Sequence, residues 1–194
     1  MKLFKYKIPH IVSIYFGVPG SGKTTFAAWL TKRDLKHGGK VWSNVPITGA
    51  YKLDPSKDIG KHMIVDGRII IDEAGIEYNN RDHDKFPKEA LYFFKYHRHY
   101  QTAVDIFSQG WNDADKKIRD LAQRLYVVRK SLIPWFVYRR RIKKKVGVNE
   151  YTKDICDEYE FVPWSRKYIF CPPLWHMFNT ISRKKLPPKE WEVY

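Results

Sequence analysis

The first apolar run of the chain, HIVSIYF from His10 to Phe16, is short, β-branched and aromatic, and lies between Pro9 and Gly17. Those features predict a buried strand. From Lys23 to about Lys36, Phe26, Ala27 and Leu30 share one helical face, and Gly38 and Gly39 end the helix. KVWSNV, Lys40 to Val45, reads as the next strand, stopped by Pro46. A polar excursion rich in Asp, Pro, Ser and Lys then leads to RIIIDEAG, where a continuous apolar run meets two carboxylates. Phe86, Ala90 and Phe94 recur one turn apart and predict a helix over Phe86 to His99. TAVDIFSQ, Thr102 to Gln109, is a further strand, DADKKIRDLAQRL a short amphipathic helix, and YVVRKSL another strand.

Strands alternating with helices imply an α/β fold whose mainly parallel sheet is covered on both faces. The pattern changes at Pro134. PWFVYRRRIKKKV reads as a long edge strand or hairpin arm, and the residues beyond it show no clear alternation. The expected organisation is a core over residues 1–133, with a basic β-arm and irregular C-terminal extension over 134–194 packed on it. A chain of 194 residues suits one compact domain with a real core.

Composition adds a partner class. The 36 basic residues against 21 acidic ones leave a formal charge of +15, which favours DNA, RNA or an acidic membrane surface. Cys156 and Cys171 have neither zinc nor CxxC spacing and are expected to be reduced thiols. His97 and His99 sit at a predicted helix end without a carboxylate or cysteine at ligand spacing, so packing or capping is expected of them. MKLFKYKIPH lacks the layout of a secretory signal. The apolar stretch from Tyr168 to Ile181 is shorter than the about 20 residues a bilayer crossing needs, and two prolines interrupt it. No transmembrane segment is expected.

GVPGSGKT fits G-x-x-x-x-G-K-[ST] at every fixed position, between a predicted strand and a predicted helix. Its glycines let backbone amides close around phosphate oxygens, and the helix N-terminus adds positive potential. The phosphate cradle is therefore expected over Gly17, Val18, Pro19, Gly20, Ser21, Gly22, Lys23, Thr24 and Thr25. Lys23 would meet the β- and γ-phosphates of ATP, and the Thr24 hydroxyl would complete a Mg²⁺ shell. Asp72, at the end of RIII, is placed to hold the metal through water, and Glu73 beside it to polarise the attacking water. A solvated strand-end acid is the plainer alternative for Glu73.

The Asp-Glu pair resembles P-loop ATPases with an added strand and a catalytic glutamate. That resemblance puts TAVDIFSQ between the loop strand and the Asp-Glu strand, and KVWSNV outside them. Gln109, at the tip of the inserted strand, would then sense the γ-phosphate and orient water, or merely cap the strand.

IIIDEAG, NNRD, YHRHYQTAVDIFSQ and KKIRDLAQRLYVVRK together resemble the zonula occludens toxin (Zot) family, which includes assembly ATPases of filamentous phages. The likeness runs from about Ile11 to Lys130, and LWHMFNTIS echoes the family's terminal Tyr-Asp-Thr pattern. The family is similar to the FtsK and HerA DNA-pumping ATPases. It implies a RecA-like P-loop NTPase fold and a homo-oligomer, a hexameric ring being one form, in which a neighbour's arginine touches the γ-phosphate. Arg81, Arg98 and Arg119 are candidates for that arginine, with Arg98 and Arg119 foremost because they flank the Gln109 strand. Filamentous-phage members carry a membrane-spanning helix beyond this domain, a segment not expected in this sequence.

RRRIKKK holds six positive charges in seven residues, immediately after WFVY. On a strand, Arg139, Arg141, Lys143 and Lys145 would share one face, while Arg140, Ile142 and Lys144 point the other way. Such a ribbon could track a nucleic-acid backbone, with Trp135, Phe136 and Tyr138 able to stack on bases if the strand is single. A charged edge that blocks aggregation, or contact with anionic lipid, are the other readings.

Together these features lead to an expected ATPase with Mg²⁺ that moves phage DNA during assembly, packaging or extrusion. It is expected in the host cytoplasm or peripherally at the inner face of the membrane, with other phage assembly or membrane proteins as further partners. A nucleotide-gated DNA- or membrane-binding module and a small nucleotide kinase are the alternatives.

Overall fold

The computed structural model describes residues 6–73, 88–110, 116–148 and 155–179, with backbone only for 146–148 and 155–157. Its elements, in chain order, are β1 (Val12–Phe16), α1 (Lys23–Lys36), β2 (Lys40–Ser43), β3 (Tyr51–Lys52) and α2 (Pro55–Asp58). These are followed by β4 (Gly67–Ile71), α3 (Lys88–Tyr96), β5 (Thr102–Ser108), α4 (Lys116–Leu121) and β6 (Arg124–Lys130). Strands β7 (Phe136–Val148), β8 (Ile155–Phe161) and β9 (Lys167–Phe170) and a 3₁₀ turn over Pro172–Met177 complete the chain. The expected helix start at Phe86 lies outside the described residues, as do NNRD, Arg81 and Asp113.

One sheet takes the order β3-β2-β4-β5-β1-β6-β7-β8, with β9 also paired to β7. From β3 to β6 every pairing is parallel; those of β7 are antiparallel. Strand β5 lies between β1 and β4, and β2 lies outside β4. Both positions are those expected for an inserted-strand ATPase. All seven residues of β5 are buried, as a strand covered on both faces requires.

Two apolar layers result from strand alternation. On one face Val12, Ile14, Ile69, Ile71, Val104 and Ile106 pack with Ala90, Phe93 and Phe94 of α3 and Ile118 of α4. On the other, Tyr15, Ile70, Phe107 and Val128 pack with Phe26, Ala27, Ala28 and Leu30 of α1. A buried ionic cluster lies in this second layer. The guanidinium of Arg68 in β4, 3% exposed, bridges Asp34 of α1 and Asp105 of β5. Tyr6 also donates to Asp34, and burial, helped by that carboxylate, pushes its phenol up to about 12.

The C-terminal part departs from the expected irregularity. β8 and β9 both hydrogen-bond to β7, so the root of the basic strand is interior to the sheet rather than an edge, with β6 on one side and β9 on the other. Only beyond Ile142, where β6 has ended, does β7 form a hairpin arm with β8. The 3₁₀ turn packs back on α1 through Leu174 and Met177, and Ile47 bridges to Phe178.

Candidate active site

The cleft lies at the C-terminal ends of β1, β4 and β5. Strand β1 delivers Gly17, and the loop turns over Gly20 and Gly22, whose φ angles of 72° and 98° suit glycine. Gly22 has a second constraint, since a Cβ there would lie 2.4 Å from Val137 Cγ1 of β7. Helix α1 starts at Lys23 with no side-chain cap, which leaves its first amides to an outside acceptor. The Ser21 hydroxyl is buried without a partner beside them. Uncapped amides, an unpartnered hydroxyl and a glycine cradle are the features of a phosphate site, and the donor set fits a nucleotide.

Lys23 Nζ donates to the carbonyl oxygens of Gly17 (2.7 Å) and Val18 (3.3 Å). Burial lowers its pKa, against the opposing pull of Asp72 and Glu73. Thr24 Oγ1 donates to Asp72 Oδ2 at 3.2 Å, so the hydroxyl and carboxylate expected to share a metal already face each other. Oxygen donors of this kind suit Mg²⁺. Burial raises the pKa of Asp72, opposed by the amide of Glu73 and the Thr24 hydroxyl. Glu73 sits at the rim with φ of 55°, a left-handed conformation uncommon outside glycine and one often found at functional sites.

The cleft has a volume of about 630 Å³, and Gln109 lines it together with Asp72 and Glu73. Arg98 and Arg119 do not line it. Arg98 stands in the turn before β5, where its carbonyl accepts from the Gln101 amide, while Gln109 stands after the strand's other end. Arg119 lines a separate concavity of about 680 Å³ with Lys116, Gln123, Arg141 and Lys144. Within one chain neither reaches the loop.

Four residues at or beside the cleft escape a reading of the sequence. Asn44, just past β2, holds Asp72 by both backbone groups: its Nδ2 donates to the Asp72 carbonyl (2.9 Å), and its Oδ1 accepts from the Asp72 amide (2.8 Å). Its place after KVWS, on a strand adjacent to the Asp-Glu strand, was the available signal. Phe178 and Asn179 form a second wall, brought there by the Thr48 amide donating to the Met177 carbonyl. Lys130 reaches from the end of β6 to 4.0 Å from where a Cβ on Gly20 would lie.

The basic residues are divided among different surroundings. Arg139 stacks its guanidinium 3.9 Å from the ring centroid of Tyr126 and donates to Tyr15 Oη at 3.4 Å, on the α1 face of the sheet. Arg140 lies over Phe161 on the opposite face, and Arg141 lines the Arg119 concavity with Lys143 and Lys144. Lys145 pairs with Glu160 at 2.5 Å in full solvent. His97 is buried and its Nδ1 contacts the Phe94 carbonyl at 2.7 Å, a packing role. Cys171 is free and buried. Among the described residues no helix is long and apolar enough to cross a membrane.

The strand order, the loop and the carboxylate after β4 define a P-loop NTPase fold of the inserted-strand type. Solved structures with this fold include the N-terminal domain of zonular occludens toxin from Neisseria meningitidis (TM-score 0.55, 16% identity, covering 87% of this chain and 98% of that one). Another is the genome packaging NTPase B204 from Sulfolobus turreted icosahedral virus 2 in complex with ATP-gammaS (TM-score 0.52, 10% identity, 78% and 98% covered). No curated protein matches the chain in sequence. The family model described as Zonular occludens toxin (Zot) matches residues 52–150, half of the chain, and the chain belongs to this family.

Proposed function

We propose that the chain is an ATPase that uses ATP and Mg²⁺ to move phage DNA during virion assembly, packaging or extrusion. The observation that carries this is the contact of Thr24 with Asp72 across the mouth of an uncapped phosphate loop, with Glu73 and Gln109 at the rim. The likeness to B204, described as a genome packaging NTPase and solved with ATP-gammaS, supports it.

In this reading the loop amides and Lys23 neutralise phosphate charge, and Lys23 leaves the Gly17 carbonyl to do so. Thr24 and Asp72 would hold Mg²⁺, which would supply neutralisation of phosphate charge. Asn44 fixes the backbone that aims Asp72. Glu73 accepts a hydrogen bond from the attacking water, and Gln109 orients it. Placement and electrostatics account for most of the rate. A neighbour's arginine touches the γ-phosphate in a homo-oligomer, with Arg81, Arg98 and Arg119 as the candidates; the distance of Arg98 and Arg119 from their own cleft is compatible with that. The protein works in the host cytoplasm or peripherally at the inner face of the membrane.

The deciding experiment measures Mg²⁺-dependent phosphate release, with and without single-stranded and duplex DNA, at two salt concentrations. Wild type turns over and is stimulated by DNA in a salt-dependent manner. Lys23→Ala abolishes turnover, and Glu73→Gln binds nucleotide without hydrolysing it. Wild-type turnover by Glu73→Gln would remove that residue from the mechanism. Nucleotide-dependent DNA binding without any wild-type turnover would make the chain a gated binding module instead.

A further inference from the structure

The root of β7 has two unlike faces. Val137 and Arg139 point to α1, where Val137 abuts Gly22 and Arg139 lies over Tyr126. The other face, on the N-terminal side of Ile142, carries a ladder of half-exposed rings. Phe136 pairs with Phe170 across the strands (centroids 5.2 Å apart), and Tyr138 with Tyr168 (5.3 Å). The Arg140 guanidinium then lies 4.2 Å from the Phe161 centroid, and Arg166 lies 5.6 Å from that of Tyr138. Tyr168, Phe170 and Phe161 remain 46%, 45% and 40% exposed. Arg129, directly opposite Tyr138 in the register, adds a third cation.

The chemistry of this surface narrows its occupant. Successive rungs on one face of a strand are about 6.8 Å apart, so a flexible ligand can follow them ring by ring. Half-exposed rings offer π faces, and the interleaved guanidinium groups offer charge to an anionic backbone. A duplex keeps its base faces stacked inside and would leave the rings idle. A second copy docked face to face would set guanidinium groups against guanidinium groups; the β6, β7 and β9 residues flanking the rings include no carboxylate, and Asp120 of α4 lies further along, in the Arg119 concavity.

We propose that this β7-β9 face binds single-stranded nucleic acid, stacking bases on the Phe136, Tyr138, Tyr168 and Phe170 rings and pairing phosphates with Arg129, Arg140 and Arg166. The proposal rests on the nucleic-acid half of the function given above and not on hydrolysis. It also differs from a basic-ribbon interface, because Arg139 belongs to the opposite face.

The test is fluorescence anisotropy of a labelled oligo-dT of about 12 nucleotides against the purified chain without nucleotide. Tyr138→Ala and Phe170→Ala should each weaken binding roughly tenfold. Tyr168→Leu, which keeps apolar bulk but removes the π face, should do the same with an unchanged melting curve, whereas Tyr168→Phe should bind as wild type does. A duplex of equal length should compete poorly. Lys23→Ala should retain dT binding, so a failed ATPase reading and a failed stacking reading are distinguishable. Wild-type dT affinity in the ring variants would overturn the proposal, as would a duplex binding as tightly as dT. Loss of self-association by sedimentation, with dT binding intact, would overturn it too and assign the face to a subunit contact.

Discussion

Asn44→Ala tests whether the site is aimed from its neighbouring strand. The side chain makes two hydrogen bonds to the backbone of Asp72, across 28 positions of sequence, and joins the ends of β2 and β4. At about 1 kcal/mol net for each partly buried bond, truncation should cost ~2 kcal/mol. In a chain of this size that corresponds to a fall in melting temperature of about 4–8 °C. The functional effect should exceed the structural one. A freed Asp72 no longer faces Thr24 in one orientation, and loss of such an outer partner typically costs about 10–100-fold in metal affinity. Calorimetric melts would read the first effect, and Mg²⁺ titration of ATP turnover the second. Asn44→Asp should recover part of the loss at most, because its carboxylate can still accept from the Asp72 amide but cannot donate to the Asp72 carbonyl. Melting within a degree of wild type, with unchanged Mg²⁺ dependence, would refute the reasoning.

Asp72→Asn should separate stability from activity: burial raises the folded pKa of Asp72, so the ionised carboxylate is a cost to the fold that grows as pH rises from the ordinary carboxylate range through the raised value. Metal-free Asp72→Asn should therefore melt higher than wild type at pH 7–8, by a margin that shrinks toward pH 4, while losing Mg²⁺-dependent turnover. Gly22→Ala combines a φ of 98° with a Cβ 2.4 Å from Val137 Cγ1, and should cost about 2–4 kcal/mol in denaturant melts. Adding Val137→Ala should recover the steric share and leave the backbone share. Arg68→Met leaves Asp105 buried without its cation and Asp34 with Arg33 alone, and should cost about 3–5 kcal/mol by chemical denaturation. Replacing both carboxylates as well should recover most of that.

What the sequence made legible was whatever depends on neighbours along the chain. The phosphate loop is one contiguous motif, and Asp72 and Glu73 come directly after an apolar run. The position of TAVDIFSQ between the loop strand and the Asp-Glu strand came from resemblance, and β5 does lie there. Asn44 was illegible because its role needs β2 hydrogen-bonded to β4. Arg68 reads in RIII as a charge flanking a strand, and only the packing of α1 on the sheet shows its two carboxylate partners. The strands β8 and β9 were missed because one face of each carries aromatics that stay half exposed, so alternation gives little contrast between inside and outside. The basic stretch was legible as charge but not as a division between two faces.

Strand order also fixes a timetable for synthesis. Strand β1, the stem of the phosphate loop, has no partner from its own vicinity: its first rung, Val12 with Val104, closes about 90 residues later, and its other flank waits for β6. At about 5–20 residues per second of translation, VSIYF emerges roughly 5–18 s before any strand can cover it. For that interval α1, which follows directly, can cover the Tyr15 face of β1, but both of its hydrogen-bonding edges stay unpaired. The last wall of the cleft, Phe178 and Asn179, arrives later still. A nucleotide therefore meets all the walls of its cleft only after residue 179 has emerged.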